Sequence, residues 1–168
     1  MDNTAITATD QYLAFTLGNE QYAVEVTSIK EVLELPSITR IPKAPAYMKG
    51  VINIRGGVVP VLDLRQKFGM EETEPTVDTS IIVIELTDGG TKATIGTIAD
   101  SVQEVIQIPP DSIDPAPKIG TNIETEFIDG LANYHDNFLI ILNIEKVFTA
   151  SELSTINGAG RDNFKSST

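Results

Sequence analysis

Cysteine and tryptophan are missing from the 168-residue chain, and histidine occurs once, as His135. With no thiol there is no disulfide, no thiolate metal site and no cysteine nucleophile. The lone imidazole stands in the polar stretch Tyr134-His135-Asp136-Asn137 and reads as a solvated turn residue, so no metal or cofactor is expected. Cations are scarce: 12 Lys and Arg face 24 Asp and Glu, a formal charge of −12. Such a chain is repelled by phosphate backbones and anionic lipid, which argues against nucleic acid and membrane surfaces as partners. No run approaches the roughly 18 apolar residues of a membrane helix. The opening MDNTAITATDQ has neither the basic start nor the apolar run of a secretion signal. A soluble intracellular protein is expected. The motifs G-x-S-x-G, H-E-x-x-H, Walker A and G-x-G-x-x-G are all missing, so an enzyme has little support.

What is present is 41% apolar residues with an ordinary charged fraction, the composition of a folded chain. Leu13, Phe15 and Leu17 alternate with smaller neighbours, Gly18-Asn19-Glu20 turns the chain, and Tyr22, Val24 and Val26 alternate on the return, predicting a hairpin over 12–26. Ser28 and Glu31 have capping-box spacing and predict one or two helical turns over 29–33. Pro36, Pro42 and Pro45 make a loop. Segments 51–55 and 58–63 form a hairpin around Gly56-Gly57 with Arg55 at the strand end, and Pro60 marks an unpaired or bulged edge. An acidic connection over 69–79 leads to strands at 80–86 and 92–98 around Asp88-Gly89-Gly90. A Pro-rich loop over 109–117, strands near Gly130 and at 138–142, and a short helix over 151–156 complete the pass. Short strands between Gly and Pro turns indicate an all-β barrel architecture.

The chain also resembles itself. Tyr47-Met48-Lys49-Gly50-Val51 matches Phe127-Ile128-Asp129-Gly130-Leu131, and in the same register Leu62-Asp63-Leu64 matches Leu142-Asn143-Ile144 and Phe68 matches Phe148, an offset of 80 residues. The stretch from Ser28 to Pro36 parallels that from Ser101 to Pro109, an offset of 73. Two copies in one order imply two small barrels, approximately 11–79 and 80–150, in a single domain over 11–155. A flexible N-terminus over 1–10 and a flexible tail over 156–168 flank it. Modules this small bury a limited fraction of their surface, so they are expected to pack together along a seam.

Few residues invite chemistry. Asp63 and Asp100 each follow a strand and read as caps of the next turn, with an acid–base pair as the alternative. Arg55-Gly56-Gly57-Val58 does not continue into a helix and is no phosphate cradle. Ile29 with Val32, and their repeat equivalents Val102 with Val105, form apolar stripes. These either face the core or flank the seam and receive a partner helix. Arg55 is either a surface arginine beside a local carboxylate or a bidentate donor to another chain.

Ala14-Phe15-Thr16-Leu17-Gly18, Lys49-Gly50-Val51-Ile52-Asn53-Ile54-Arg55-Gly56, Val59-Pro60-Val61-Leu62-Asp63-Leu64-Arg65, Asp100-Ser101-Val102 and Ile141-Leu142-Asn143-Ile144-Glu145-Lys146 resemble the CheW chemotaxis coupling family. The resemblance runs in order over residues 11–153. It implies a non-enzymatic cytoplasmic adaptor of two SH3-like five-stranded barrels. Such adaptors link the cytoplasmic helical-hairpin tip of a chemoreceptor to the regulatory domain of the histidine kinase CheA, in membrane-associated arrays that also hold further copies of the adaptor. By motif, the receptor groove here comprises Ile29, Glu31, Val32, Arg55, Val102 and Val105. On this view Arg55 occurs in one copy only because only that hairpin meets the receptor. The implied kinase contacts are Ile38, Gly50, Asp114, Lys118 and Ile119. The chain departs from the family pattern at two of these, since relatives can carry a basic residue at the place of Asp114 and an acidic one at that of Lys118. The kinase's own regulatory domain and the coupling part of CheV share the fold, but phosphotransfer and receiver segments are not found in these residues, which favours the free-standing adaptor. The rivals are a coupling module of a non-chemotaxis receptor–kinase pathway and a hydrolase with an acidic pair in the seam. The hydrolase requires a closed polar pocket with two adjacent carboxylates; the adaptor requires an open apolar groove.

Overall fold

The computed structural model describes residues 11–71, 74–88, 91–115 and 127–147. The expected helix at 151–156, the expected flexible ends, and the candidate contacts Lys118 and Ile119 lie outside them.

Period-two alternation organises the chain. In β1 (Gln11–Leu17), Leu13, Phe15 and Leu17 enter one core while Tyr12 and Ala14 enter another. In β2 (Glu20–Glu25), Tyr22 and Val24 join the first core and Ala23 the second. A single 3-10 turn over Val26–Ser28 leads into β3 (Ile29–Glu34), and the hairpin of β4 (Met48–Ile54) and β5 (Gly57–Leu62) follows. Asp63 caps α1 (Leu64–Phe68) by accepting from the Arg65 backbone N–H at 3.0 Å, as the cap reading expects. The rest is β6 (Ser80–Asp88), β7 (Thr91–Ala99), β8 (Ser101–Gln107), β9 (Ile128–Tyr134), β10 (Asn137–Leu142) and α2 (Ile144–Val147).

Two five-stranded sheets result, ordered β8-β1-β2-β10-β9 and β3-β6-β7-β5-β4. The all-β architecture of two SH3-like barrels therefore holds, but the barrels are not the consecutive segments 11–79 and 80–150. The first hairpin, β1-β2, pairs with β8 and β10 from the second repeat, and β6-β7 pairs with β3 and β5 from the first. Each repeat lends its leading hairpin to the other. Equivalent positions confirm the symmetry: Val102 lies opposite Phe15 and Ile29 opposite Ile84, each followed by a bulge.

The stretch 29–33, expected to be helical, is a strand. Ile29, Glu31 and Leu33 are more buried than Lys30, Val32 and Glu34, and β3 pairs with β6 along its whole length. The Glu31 carboxylate is bound by Arg55 and does not return to a helix N-terminus. Pairing along the Ile81–Ile84 face outweighs the local capping signal.

Each barrel has its own small core. One contains Ala14, Ala23, Leu139 and Ile141, the other Ile52, Val61, Ile81 and Val83. The opposite faces of both sheets meet in a larger shared core that contains Phe15, Leu17, Tyr22, Leu62, Ile82, Ile84 and Ile95. Burial and the hydrogen bond its hydroxyl donates to Glu20 (2.7 Å) push the Tyr22 phenol far up. The seam expected between the modules is thus filled with the protein's own side chains along its centre.

Gly50 and Gly130 let a loop close onto each barrel. Thr39 bridges Val51 and Asp114 bridges Leu131 through paired backbone hydrogen bonds of 2.8–2.9 Å. A Cβ on Gly50, whose φ is +151°, would lie 2.2 Å from the Thr39 carbonyl oxygen; one on Gly130 would lie 2.4 Å from Ile113 Cγ2.

Candidate functional site

The shared core does not end at the sheet edges. β3 and β8 are edge strands of their sheets. Ile29 and Val102, opposite Ile84 and Phe15, are half-buried against the shared core. Further along, Val32 lies opposite Ile82 and Val105 opposite Leu13. Paired residues point to the same face of a sheet, so both valines project on the shared-core face, yet they are 41% and 54% exposed. Their burial divides the two expected stripes: the first residue of each is anchored in the core and the second faces solvent.

The repeat symmetry puts both edges on one flank. The operation exchanges the two sheets. It also reverses strand direction, because the 16–18 end of β1 meets Asp100 (Asp100 N–H to Thr16 O, 2.9 Å), next to the Ser80 end of β6, which pairs with Ala99. A half-turn reverses two directions and preserves the third. β8 beside β1 and β3 beside β6 therefore form two lips on the same side, the place where the resemblance implies an apolar groove.

Each lip carries a polar tie on its other face. Arg55 Nη1 and Nη2 donate to Glu31 at 2.7 and 2.9 Å, a two-pronged ion pair joining the β4–β5 turn to β3. These hydrogen bonds hold the Glu31 carboxyl below the usual range and the Arg55 guanidinium above its own. The surface arginine with a local carboxylate is thus realised, while its side chain remains 75% exposed. Arg55 (φ +50°) and Gly56 (φ +82°) are the central turn residues, one position earlier than the expected Gly-Gly turn; Gly57 already belongs to β5. Two positive φ values suit a two-residue hairpin, and the Gly56 N–H donates to Asn53 Oδ1 at 3.1 Å. Arginine is a poor residue for this left-handed conformation.

The repeat places Glu104 where the first copy has Glu31, and His135 where it has Arg55. Tyr134 donates its hydroxyl to Glu104, which raises its phenol pKa, and His135 Nε2 stands 4.0 Å from the same carboxylate. His135 and Asp136 adopt φ of +51° and +65°, matching Arg55 and Gly56. The two hairpins have one backbone design and differ in the charge they bring to the lip.

Of the remaining expected site residues, Ile38, Gly50 and Asp114 lie at or beside the two loop bridges. Ile38 is half-buried, with its Cγ2 against Gly50, and Asp114 is exposed at the equivalent bridge. Gly50 itself is buried, so it acts there as backbone and not as an exposed contact.

A cavity of about 190 Å³ is lined by Asp63 and Asp100, by Lys49 and Arg65, and by apolar Leu35, Ile38 and Ile98. This is not the free carboxylate pair a hydrolase needs. Asp63 caps α1 and lies 3.7 Å from the Lys49 ammonium; Asp100 accepts from the Gly18 N–H at 2.7 Å and from the buried Arg65 guanidinium. Sequence reading missed Arg65, which ties the β1–β2 turn of one sheet to α1 of the other. Its only signal was a cation two residues past the capping Asp63 at a strand end. Among the described residues no group of His, Asp and Glu is arranged to hold a metal, and no helix is long and apolar enough to cross a membrane.

Comparison with known proteins agrees with this architecture. The chain is 32% identical over 155 residues to the chemotaxis protein CheW of Klebsiella aerogenes, covering 92% of this chain and 91% of that protein. It is 32% identical to the chemotaxis protein CheW of Bacillus subtilis, covering 82% and 86%. The crystal structure of the scaffolding protein TtCheW from Thermoanaerobacter tengcongensis superposes with a TM-score of 0.75 at 35% identity, covering 88% of this chain and 92% of that one. Residues 11–152 match the CheW-like domain, and the chain belongs to the CheW family of non-enzymatic chemotaxis scaffolds.

Proposed function

We propose that the protein couples chemoreceptors to the CheA histidine kinase, with the cytoplasmic helical-hairpin tip of the receptor seated in the trough between β3 and β8. The observation that carries this reading is the continuation of the shared-core face onto exposed Val32 and Val105, with Ile29 and Val102 anchoring it from below. Apolar side chains that are fixed at their base and open at their tip suit an amphipathic helix. Arg55, held over the β3 lip by Glu31, keeps unused N–H donors for a carboxylate or helix-end carbonyl of the receptor.

The kinase regulatory domain contacts Ile38 and Asp114 beside the two loop bridges and, by the family motif, Lys118 and Ile119; Gly50 supports Ile38 from beneath. The scaffold works in the cytoplasm against membrane-bound arrays, beside further copies of itself. No bond is made or broken. Simultaneous occupancy of two faces raises the effective concentration of receptor for kinase. Co-sedimentation with a receptor signalling fragment tests the reading. Val105→Glu should lose receptor and keep CheA, with an unchanged far-UV spectrum. Retained receptor binding in the folded variant would refute the trough.

A further inference from the structure

The trough has an ambiguity built into it. Its two lips are related by the repeat, and the pseudo-two-fold axis runs into its floor, because the operation preserves the flank on which β3 and β8 lie. A helix lying across that axis meets nearly the same apolar surface in either direction: Ile29 and Val32 on one lip, Val102 and Val105 on the other. Apolar contacts alone would seat a partner both ways round.

Charge breaks the degeneracy. Near the β3 lip stand Lys30, Arg55 and Lys92 against Glu31 and Glu85, linked by contacts of 2.7–3.8 Å. At the equivalent positions of the β8 lip the chain has Gln103 for Lys30, His135 for Arg55, Thr16 for Glu85 and Asp136 for Gly56. Glu104 is retained, with Tyr134 and His135 as its partners. Counting Glu34, the β3 lip is neutral, with Lys30, Arg55 and Lys92 against Glu31, Glu34 and Glu85. The other, with His135 neutral, carries Glu104 and Asp136 uncompensated. Glu34, matched by Gln107 in the repeat, places its anion at the end of β3 remote from Ile29.

We infer that the Arg55/His135 and Lys30/Gln103 differences set the direction in which the receptor hairpin lies, with an anionic stretch of the receptor toward the Lys30–Arg55 lip. This inference rests on the trough reading and adds polarity to it. The positive φ at both turns supports it, since His135-Asp136 and Arg55-Gly56 present their side chains from the same backbone geometry. The two hairpins are interchangeable as scaffolds and differ as electrostatic ends.

The absence of cysteine permits a direct test by single-site labelling. A spin label on Thr87→Cys, exposed near the end of β6 that leads away from the trough floor, is paired with one beside the turn of a purified receptor hairpin fragment, and the distance is read by pulsed electron resonance. The wild-type background should give one distance population. The exchange Lys30→Gln, Arg55→His, Gln103→Lys and His135→Arg should move the ratio of the two orientations at least tenfold toward the reverse one. Circular dichroism and the melting midpoint of the exchanged variant check that it is folded. An unchanged distance distribution with affinity retained overturns the polarity and leaves the trough standing. Two equal populations in the wild-type background overturn it as well. Failure of the wild-type chain to bind the fragment overturns both readings together.

Discussion

Glu31 and Arg55 form a two-pronged ion pair that fastens the β4–β5 turn to the edge strand β3, while their repeat equivalents Glu104 and His135 stand 4.0 Å apart. A fixed cation closes one barrel where the other has a side chain that is a cation only when protonated. In an acid titration followed by carboxyl carbon NMR, Glu31 should titrate below the ordinary glutamate range, and in Arg55→Ala it should return upward. Because the folded-state value is the lowered one, the stabilisation from this pair is present above the ordinary glutamate range and is lost as pH falls through the Glu31 folded value. Equal titration of Glu31 in both proteins would show that the pair does not persist in solution.

Arg55 holds a left-handed turn position that glycine occupies without strain. Arg55→Gly should therefore leave the thermal midpoint near its original value, since relief of the backbone offsets the lost exposed pair. Receptor affinity should fall on the order of tenfold to a hundredfold, the range for losing a charged hydrogen bond. Isothermal titration beside a thermal melt checks both. A large stability loss at full affinity would assign Arg55 to architecture instead of recognition.

Gly50 is a packing position. Alanine there would force a Cβ to 2.2 Å from the Thr39 oxygen at a φ of +151°, and strain of this kind costs about 1–3 kcal/mol before any overpacking is counted. Gly50→Ala should lower stability by about 2 kcal/mol or more in urea unfolding. Any loss of kinase binding should follow the fraction unfolded. Loss of CheA binding at unchanged stability would make Gly50 a contact residue in its own right.

The exchanged hairpins make the two barrels one folding unit. A chain ending at residue 79 keeps β3, β4 and β5 but loses β6 and β7, the strands they pair with. It should show no cooperative melt by circular dichroism. In the full chain, Ile82→Ala, in the fully buried shared core, should cost about 2–5 kcal/mol and unfold both barrels in a single transition. Independent folding of the 79-residue piece would show that the exchange is dispensable.

Much of this architecture is legible in the residues. Alternation in Leu13, Phe15 and Leu17 and the Gly-flanked turns mark the hairpins, and the offsets of 80 and 73 pair β4 with β9, β5 with β10 and β3 with β8. Those same offsets connect Glu31 to Glu104 and Arg55 to His135, so the two ties were available as a pattern. Three things were not available. Strand or helix at 29–33 is decided by pairing with Ile81–Ile84, some fifty residues away, and not by the Ser28–Glu31 spacing. The partner of each hairpin is likewise a long-range choice: either copy of β6-β7 or β1-β2 satisfies the same apolar alternation. Partial burial was also beyond a pattern, because Ile29 and Val32 look alike until β6 and the shared core set one under the edge and leave the other beyond it.

The most direct measurement is amide chemical-shift mapping of the isotope-labelled chain on addition of a purified receptor hairpin fragment. Shifts and line broadening should concentrate on β3 and β8, around Val32 and Val105, and at the Arg55 turn, while β9 and the Thr39 and Asp114 bridges stay unmoved. A response confined to those bridges or to β9 and β10, with β3 and β8 silent, would mean that the receptor does not lie between the two edge strands.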